Sequence, residues 1–386
     1  MKILLIAPHP FFQERGTPIA VKLLIETLSE FDHTIDLLTF NEGEDISVKG
    51  LTIYRIPNFS FIQNVPIGFS VKKIIADKFI TWKMFNLLRK NDYDVIHAVE
   101  ESIFPAAFLN KFFKKKLVYD MDSSMADQLI EKWEGLNKIS SFLDSFEKWA
   151  AKNATAVIPV CKYFADKIEE YTPDKKIQIL EDIAFDPDYT KDKKENIKLY
   201  FGENDLIGLY IGNLEHYQGI DLLLEGVSKL ETKIPFGIAL IGGNDESINQ
   251  YKLKAERLGI ADKVKFLGRR SLDQLPFLLE QADILFSPRT KGKNTPMKVY
   301  SYLASGSPVL ATNIGSHTQA MTGKEVKLFE PNPKDFARAF KELLENEDER
   351  KILGTAGKKL AEDNYSLRSY KRKLKNIYEW LEKGEK

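Results

Sequence analysis

The sequence predicts an α/β protein of two facing Rossmann-like domains, with a last helix returning to the first. Three observations predict it. The chain has 386 residues, short β-branched runs alternate with segments of helical period in both halves, and a polar stretch separates the halves. A chain of this length exceeds one ordinary doubly wound domain and suits two of near-equal size. Hydrophobic residues at 43% and charged residues at 29% are the proportions of a soluble globular protein, neither a disordered chain nor a membrane bundle.

In the first half, strands are expected at Lys2–Ala7, Thr34–Phe40, Leu51–Ile56, Val95–His97, Lys116–Asp120, Ala156–Val160 and Ile177–Leu180. Helices fill most of the gaps, the pattern of a mostly parallel sheet. The opening run Ile3 to Ala7 stops at Pro8-His9-Pro10 and is too short for a secretory h-region. The stretch Phe185 to Asn196 has no apolar period and reads as the linker. The second half restarts with strands at Leu206–Ile211, Gly237–Ile241, Val264–Leu267, Asp283–Ser287 and Pro308–Ala311. Three helices, near Pro333–Asn346, Asp348–Asn364 and Ser366–Leu381, close the chain, and the last carries Tyr370, Leu374, Ile377, Tyr378 and Trp380 to brace the first domain. The expected domains are 1–185, a linker 186–197, a second domain 198–364, and the returning helix 365–386.

Lysine plus arginine equals aspartate plus glutamate at 56 each, which removes the global basic field that binds phosphate backbones and excludes nucleic acid as a partner. The single Cys161 can form no internal disulfide and no zinc site by itself, so a reducing cytoplasm is expected. No run approaches the ~18 apolar residues of a spanning helix. Any membrane contact is therefore peripheral, on the inner face. Two apolar stretches beside lysines suit it or suit packing within the domain: Phe59 to Phe69, ahead of Lys72, Lys73 and Lys78, and Phe112-Phe113-Lys114-Lys115-Lys116.

In open parallel sheets, ligands sit beyond the carboxyl ends of the strands, and two such sheets facing each other make a cleft. No G-x-G-x-x-G follows the first strand, which removes the main support for a dinucleotide-dependent dehydrogenase. The loop His9 to Pro18 instead places Gly16 ahead of a helix, with Thr17 to cap it and Pro18 in its first turn. Gly16 either admits an anion to bare backbone N–H groups or is a plain turn residue. The run Ser287 to Lys298 makes the stronger anion site: it follows a hydrophobic strand, Thr295 can cap a helix with Pro296 at its first position, and Arg289, Lys291, Lys293 and Lys298 lie near Asn294. Four cations there suit a diphosphate. Gly242-Gly243 and Gly268-Arg269-Arg270 end two strands of one expected sheet edge, as turn glycines or as a floor for a nucleobase.

These residues carry a resemblance. Tyr210-Ile211-Gly212-Asn213-Leu214-x-x-Tyr217-Gln218-Gly219-Ile220-Asp221, the helix from Ser287-Pro288 to Ser305-Gly306 with its following strand, Asp94-Val95-Ile96-His97-Ala98 and Val118-Tyr119-Asp120-Met121-Asp122 together resemble the family 4 glycosyltransferases of the GT-B fold. The likeness covers nearly the whole chain. It implies retaining transfer of a sugar, hexosyl in type, from a nucleoside-diphosphate donor on the second domain to a glycan or lipid-linked acceptor on the first. It implies no cofactor and no metal, because cations and a helix terminus hold the departing diphosphate.

The chain also departs from that family. Where members commonly carry Arg and Lys after the first donor-domain strand, it has Asn213 and Gln218; where they carry two glutamates eight apart, it has Lys293 and Ser301. Where a histidine commonly follows the strand near Tyr119, it offers Asp122, a stabiliser of oxocarbenium charge or an ordinary turn aspartate. His97, with Glu100 and Glu101 just after it, is expected either at the acceptor and in proton transfer or as a hydrogen-bonded structural histidine. His216 and His317 need no role beyond loop and cap. The departures keep a second reading open: a GT-B-like protein without catalysis, serving as a binding or partner subunit. A nucleotide-sugar epimerase of the same architecture is a third.

Overall fold

The computed structural model describes residues 1–13, 16–65, 70–132, 140–184 and 195–384. It divides into two compact units, Met1–Glu181 with Lys371–Lys386, and Asp182–Tyr370. Most of the expected linker, like Glu14, Arg15 and Pro66 to Phe69 of the two loops named above, lies outside the described residues.

The first unit runs β1 (Lys2–Ala7), α1 (Gly16–Glu30), β2 (Thr34–Thr39), β3 (Leu51–Arg55), α2 (Val71–Lys90), β4 (Val95–Val99), α3 (Ile103–Phe113), β5 (Lys116–Met121), α4 (Met125–Lys132), α5 (Ser140–Asn153), β6 (Ala156–Pro159), α6 (Lys162–Tyr171) and β7 (Lys176–Ile177). Its strands form one sheet in the order β3-β2-β1-β4-β5-β6-β7. The second unit runs β8 (Leu206–Ile211), α7 (Ile220–Ser228), β9 (Phe236–Ile241), α8 (Asp245–Arg257), β10 (Val264–Gly268), α9 (Leu275–Leu279), β11 (Ile284–Ser287), α10 (Met297–Ser305), β12 (Val309–Thr312), α11 (Gly315–Thr318), β13 (Lys327–Phe329), α12 (Pro333–Glu345) and α13 (Glu347–Asn364). Its sheet has the order β10-β9-β8-β11-β12-β13.

Among the described residues every strand pair is parallel, so both sheet faces are covered by helices and the strands read as near-continuous apolar runs. Period two still sorts the faces. In β8, Ile207 and Leu209 join the cluster under α9 and α10, while Tyr210 joins the cluster under α7, α8 and α12.

The last helix, α14 (Leu367–Lys383), turns Tyr370, Leu374, Ile377, Tyr378 and Leu381 inward at helical spacing. Its residues from Lys371 on belong to the first unit. Lys371 pairs with Glu30 at 2.5 Å, Lys373 bonds Glu181 at 2.5 Å, and the Tyr378 ring lies 5.6 Å from that of His33.

Two expected boundaries are corrected. α1 begins at Gly16, so Thr17 and Pro18 lie inside its first turn and Thr17 does not cap it. A β-carbon on Gly16 would meet open space, so no crowding demands glycine there. β4 runs on to Val99, two residues beyond the expected end at His97.

Candidate active site

Each sheet reverses strand order once, between β1 and β4 in the first unit and between β8 and β11 in the second. Open parallel sheets bind ligands beyond the strand ends at such a point, so the loops after these strands are where a site can form.

In the second unit the loop after β8 is pressed against two others. Gly219 takes φ +76 and Gly242 φ +119, and a β-carbon on either would overlap a carbonyl, of Pro288 after β11 in the first case and of Gly212 in the second. Only glycine fits such backbone contact. The Thr290 N–H donates to the Tyr217 carbonyl at 2.8 Å, tying the same two loops. Into this junction α10 delivers Lys298, whose Nζ donates to Gln218 Oε1 at 3.1 Å and lies 3.9 Å from the centre of the Tyr210 ring. A β-carbon on Gly212 would stand 2.9 Å from that ammonium. Among the described residues no carboxylate pairs with it. Loss of water, and then the Arg289 charge, push its pKa well below the usual lysine value.

Arg289 has a different task. Its Nε donates to the Lys291 carbonyl at 2.6 Å, and its two terminal nitrogens donate to the Asn294 carbonyl at 3.0 Å and to Asn294 Oδ1 at 3.2 Å. The guanidinium, buried over the Tyr217 ring, folds its own loop. Lys291 and Lys293 are exposed, and the Lys293 carbonyl accepts from Gln319 at 2.8 Å. Of the four expected cations, Lys298 is therefore the one set against Gly212 and Gln218.

The expected Thr295 cap is a correction. α10 starts at Met297 with Pro296 in the capping place and no side-chain cap. Thr295 Oγ1 accepts instead from Gln319 Nε2 at 3.1 Å. Proline has no capping side chain, so the first amides of α10 keep their affinity for an anion. Ser301 is buried one turn beyond Lys298, and Asn213 is exposed, its carbonyl accepting from Tyr210 at 2.6 Å. His216 pairs with Asp221 at 3.0 Å on the surface. The Gly242 N–H donates to the Gly268 carbonyl at 2.8 Å and Arg269 Nε to the Gly243 carbonyl at 2.9 Å, so both glycine pairs do meet on adjacent strand ends.

Sequence reasoning missed four supports. Tyr210 and Tyr217 lie under the two cations, and the Tyr302 hydroxyl accepts the Ile211 N–H at 2.8 Å. Their spacing reads as ordinary core. His317 is fully buried, with Nδ1 2.9 Å from the Thr312 carbonyl and Nε2 2.8 Å from Ser287 Oγ. Burial pulls its pKa down to about 4, so it is neutral; the carbonyl can only accept, which places the proton on Nδ1 and makes Nε2 accept from Ser287. It pins the ends of β11 and β12 rather than capping a helix.

In the first unit the expected catalytic His97 is enclosed. Mid-strand, its side chain points under α14, where Nδ1 meets the Tyr378 hydroxyl at 2.7 Å and Nε2 meets Asp120 Oδ2 at 3.0 Å. With no exposed surface and both nitrogens engaged it is a packing histidine, not a group open to substrate. The strand end belongs to Glu100 and Glu101. Glu100 takes φ +51 and accepts from Ser123 Oγ at 3.0 Å, next to the half-buried Asp122 at the end of β5. Burial first, then Glu101, push the Glu100 carboxyl pKa upward. Glu101 pairs with Lys73 at 2.6 Å, and neighbouring Asp77 is raised by burial and Glu101 to about 7.

Two family models match the chain: "Glycosyltransferase Family 4" over residues 15–181 and "Glycosyl transferases group 1" over residues 191–360. The chain belongs to glycosyltransferase family 4. Among this family's members it is similar to an uncharacterized glycosyltransferase of Methanocaldococcus jannaschii, 24% identical across 95% of each chain. A segment spanning 37% of the chain is 30% identical to mannosylfructose-phosphate synthase of Agrobacterium fabrum, covering 33% of that protein. Its GT-B fold is that of sucrose-phosphate synthase from Thermosynechococcus elongatus, with a TM-score of 0.78 at 16% identity and 98% of each chain covered. HepE of Anabaena, solved with UDP, superposes at a TM-score of 0.72 with 16% identity, 98% of this chain and 100% of that one. In this glycosyltransferase the loop after β8 carries the neutral Asn213 and Gln218.

Proposed function

We propose that this glycosyltransferase moves a sugar, hexosyl in type, from a nucleoside-diphosphate donor to a hydroxyl of a glycan or lipid-linked acceptor, with retention and without a metal or cofactor. The observation that carries it is Lys298, a half-buried cation without a described carboxylate partner, set on Gln218 and Gly212 beside the uncapped start of α10. A diphosphate supplies the missing negative charge. In the reaction the bond from the sugar's anomeric carbon to the donor phosphate oxygen breaks, and its electron pair leaves with the diphosphate. Lys298 and the α10 amides stabilise that charge as it develops, with Asn213, Gln218, Asn294 and Ser301 as neutral partners. The positive charge that the family commonly places after its first donor-domain strand comes here from the facing helix. A new bond forms from the acceptor oxygen to the anomeric carbon. The proton that the acceptor hydroxyl gives up passes to the departing phosphate oxygen, which gains the electron pair of the broken bond.

The test is a panel of nucleotide sugars, watching nucleoside-diphosphate release with Lys298→Met beside the native chain. Methionine keeps the packing on Tyr210. The expected result is turnover with one donor and a loss of UDP or GDP affinity of about 10- to 150-fold in the variant, the loss of one charge-assisted hydrogen bond. Nucleotide binding without turnover of any donor favours the binding subunit, and unchanged affinity in Lys298→Met overturns the site.

A further inference from the structure

The helices on one face of the first sheet, α2, α3 and α5, bury their inner sides in one core, through Ala76, Ile80 and Met84, through Ala106 and Ala107, and through Ala150 and Ala151. Their outer sides are unusually apolar for a protein surface. On α2, Val71, Ile74, Trp82 and Phe85 recur at helical spacing with Lys78 and Arg89 between and after them, and Trp82 is 57% exposed. On α3, Phe108 and Phe112 are exposed, the latter at 73%, and α5 adds Phe142 and Phe146. Several of these rings pair with one another or with the half-buried Phe104 and Phe113. Phe85 lies 6.0 Å from Phe113, Phe108 6.2 Å from Phe112, Phe104 6.4 Å from Phe146, and Phe146 5.0 Å from Phe142. Beside them Phe59 and Phe61 stack at 5.3 Å, with Phe59 against Phe79 of α2. Lone exposed apolar residues need no explanation; a face on which three neighbouring helices each expose aromatic rings does.

The charges around it are mostly positive. In a chain whose acids and bases balance, α2 carries five lysines and an arginine against the single Asp77, and α3 carries Lys111 and no acid. Of the acids of α5, Glu147 is buried against Lys167, and the part-exposed Asp144 is paired with the same ammonium. Arg89 lies over the Phe85 ring at 5.6 Å and Lys111 over Trp149 at 5.4 Å, stems along the aromatic surface and charges at its rim.

We propose that this α2–α3–α5 face docks on an anionic lipid bilayer, with Trp82, Phe85, Phe108 and Phe112 entering the headgroup boundary and Lys78, Arg89 and Lys111 meeting lipid phosphates. Aromatic side chains fringed by an excess of cations, with the described acids Asp92 and Asp144 paired to Lys115 and Lys167, fit a negative interface that is apolar below its surface. A second copy of this face would bring cations against cations. The inference stands on the first unit alone and does not depend on the donor site.

The experiment is vesicle flotation of the full chain with phosphatidylcholine alone and with phosphatidylcholine containing phosphatidylglycerol. The native chain is expected to float with the anionic vesicles, less so at high salt. Lys78→Gln with Arg89→Gln lowers its partition coefficient on the order of thirtyfold, about fivefold for each cation removed, and Trp82→Ser with Phe112→Ser abolishes flotation. Both pairs are exposed, and UDP binding and an unchanged melting temperature establish that the variants are folded. A blue shift of tryptophan fluorescence on vesicle addition is lost in Trp82→Phe. A native chain that stays with the soluble fraction, variants that float as it does, or a dimer that Trp82→Ser dissolves without vesicle binding would each overturn the proposal.

Discussion

Lys298 and Asp77 are opposite cases of a charge taken out of water. Lys298 gains no described acid in exchange, so its ammonium is held below its ordinary value. A bound diphosphate raises it again. Donor binding is therefore expected to take up protons at pH values between the lowered free value and that of the complex, and affinity falls as pH rises through that window. Calorimetry of UDP binding in buffers of different ionisation enthalpy measures the uptake, which Lys298→Met removes. Asp77 has the reverse shift, about 7 in the fold against 3.8. Between those values the folded chain holds a proton the unfolded chain has lost, so its contribution to stability falls as pH rises from 3.8 through 7 and stays low above. Asp77→Asn is expected to stabilise the protein by about 1–3 kcal/mol at pH ~8 and by little at pH ~4. Urea unfolding at the two pH values decides it, and equal gains at both would reject the shift.

At the scale of elements, what matters is how strand ends are brought together. The β8 loop reaches Lys298 because Gly219 lets its backbone lie against Pro288, and no side chain survives there at φ +76. Gly219→Ala is expected to cost at least about 2 kcal/mol and to lower the melting temperature by about 4–8 °C, with weaker nucleotide binding; an unaltered melt would mean the loops have slack. Much of this was legible beforehand: the strand runs, the loops that follow them, and the set Gly212, Gln218 and Lys298. Cap positions were not, because Thr-Pro before a helix reads the same whether the helix starts at the proline or after it. His97 was misplaced for a related reason. Two further residues of β4 turned an expected strand end into mid-strand, and alternation then points its ring under α14.

For the whole molecule, the end of the chain completes its beginning. Leu374, Ile377, Tyr378 and Leu381 are at most 1% exposed, and each such burial contributes about 1.5–3 kcal/mol, so α14 contributes on the scale of the entire 5–15 kcal/mol that ordinarily holds a domain together. A chain ending at Asn364 is expected to lose its folded first unit while keeping the second. Limited proteolysis that leaves both units resistant would contradict this. No described helix is long and apolar enough to cross a membrane.

By itself the sequence determined the class of fold, the two sheets and the returning helix, since these follow from periodicity and local spacing that survive without coordinates, and its motifs carried the resemblance to the family. Only the tertiary structure decided which cation faces the donor loop, which histidine is sealed and which aromatic rings stay outside. Those outcomes depend on register, crossing elements and the far side of each strand, and pairs such as His97 with Tyr378 or Gln218 with Lys298 are set by packing between segments far apart in the chain.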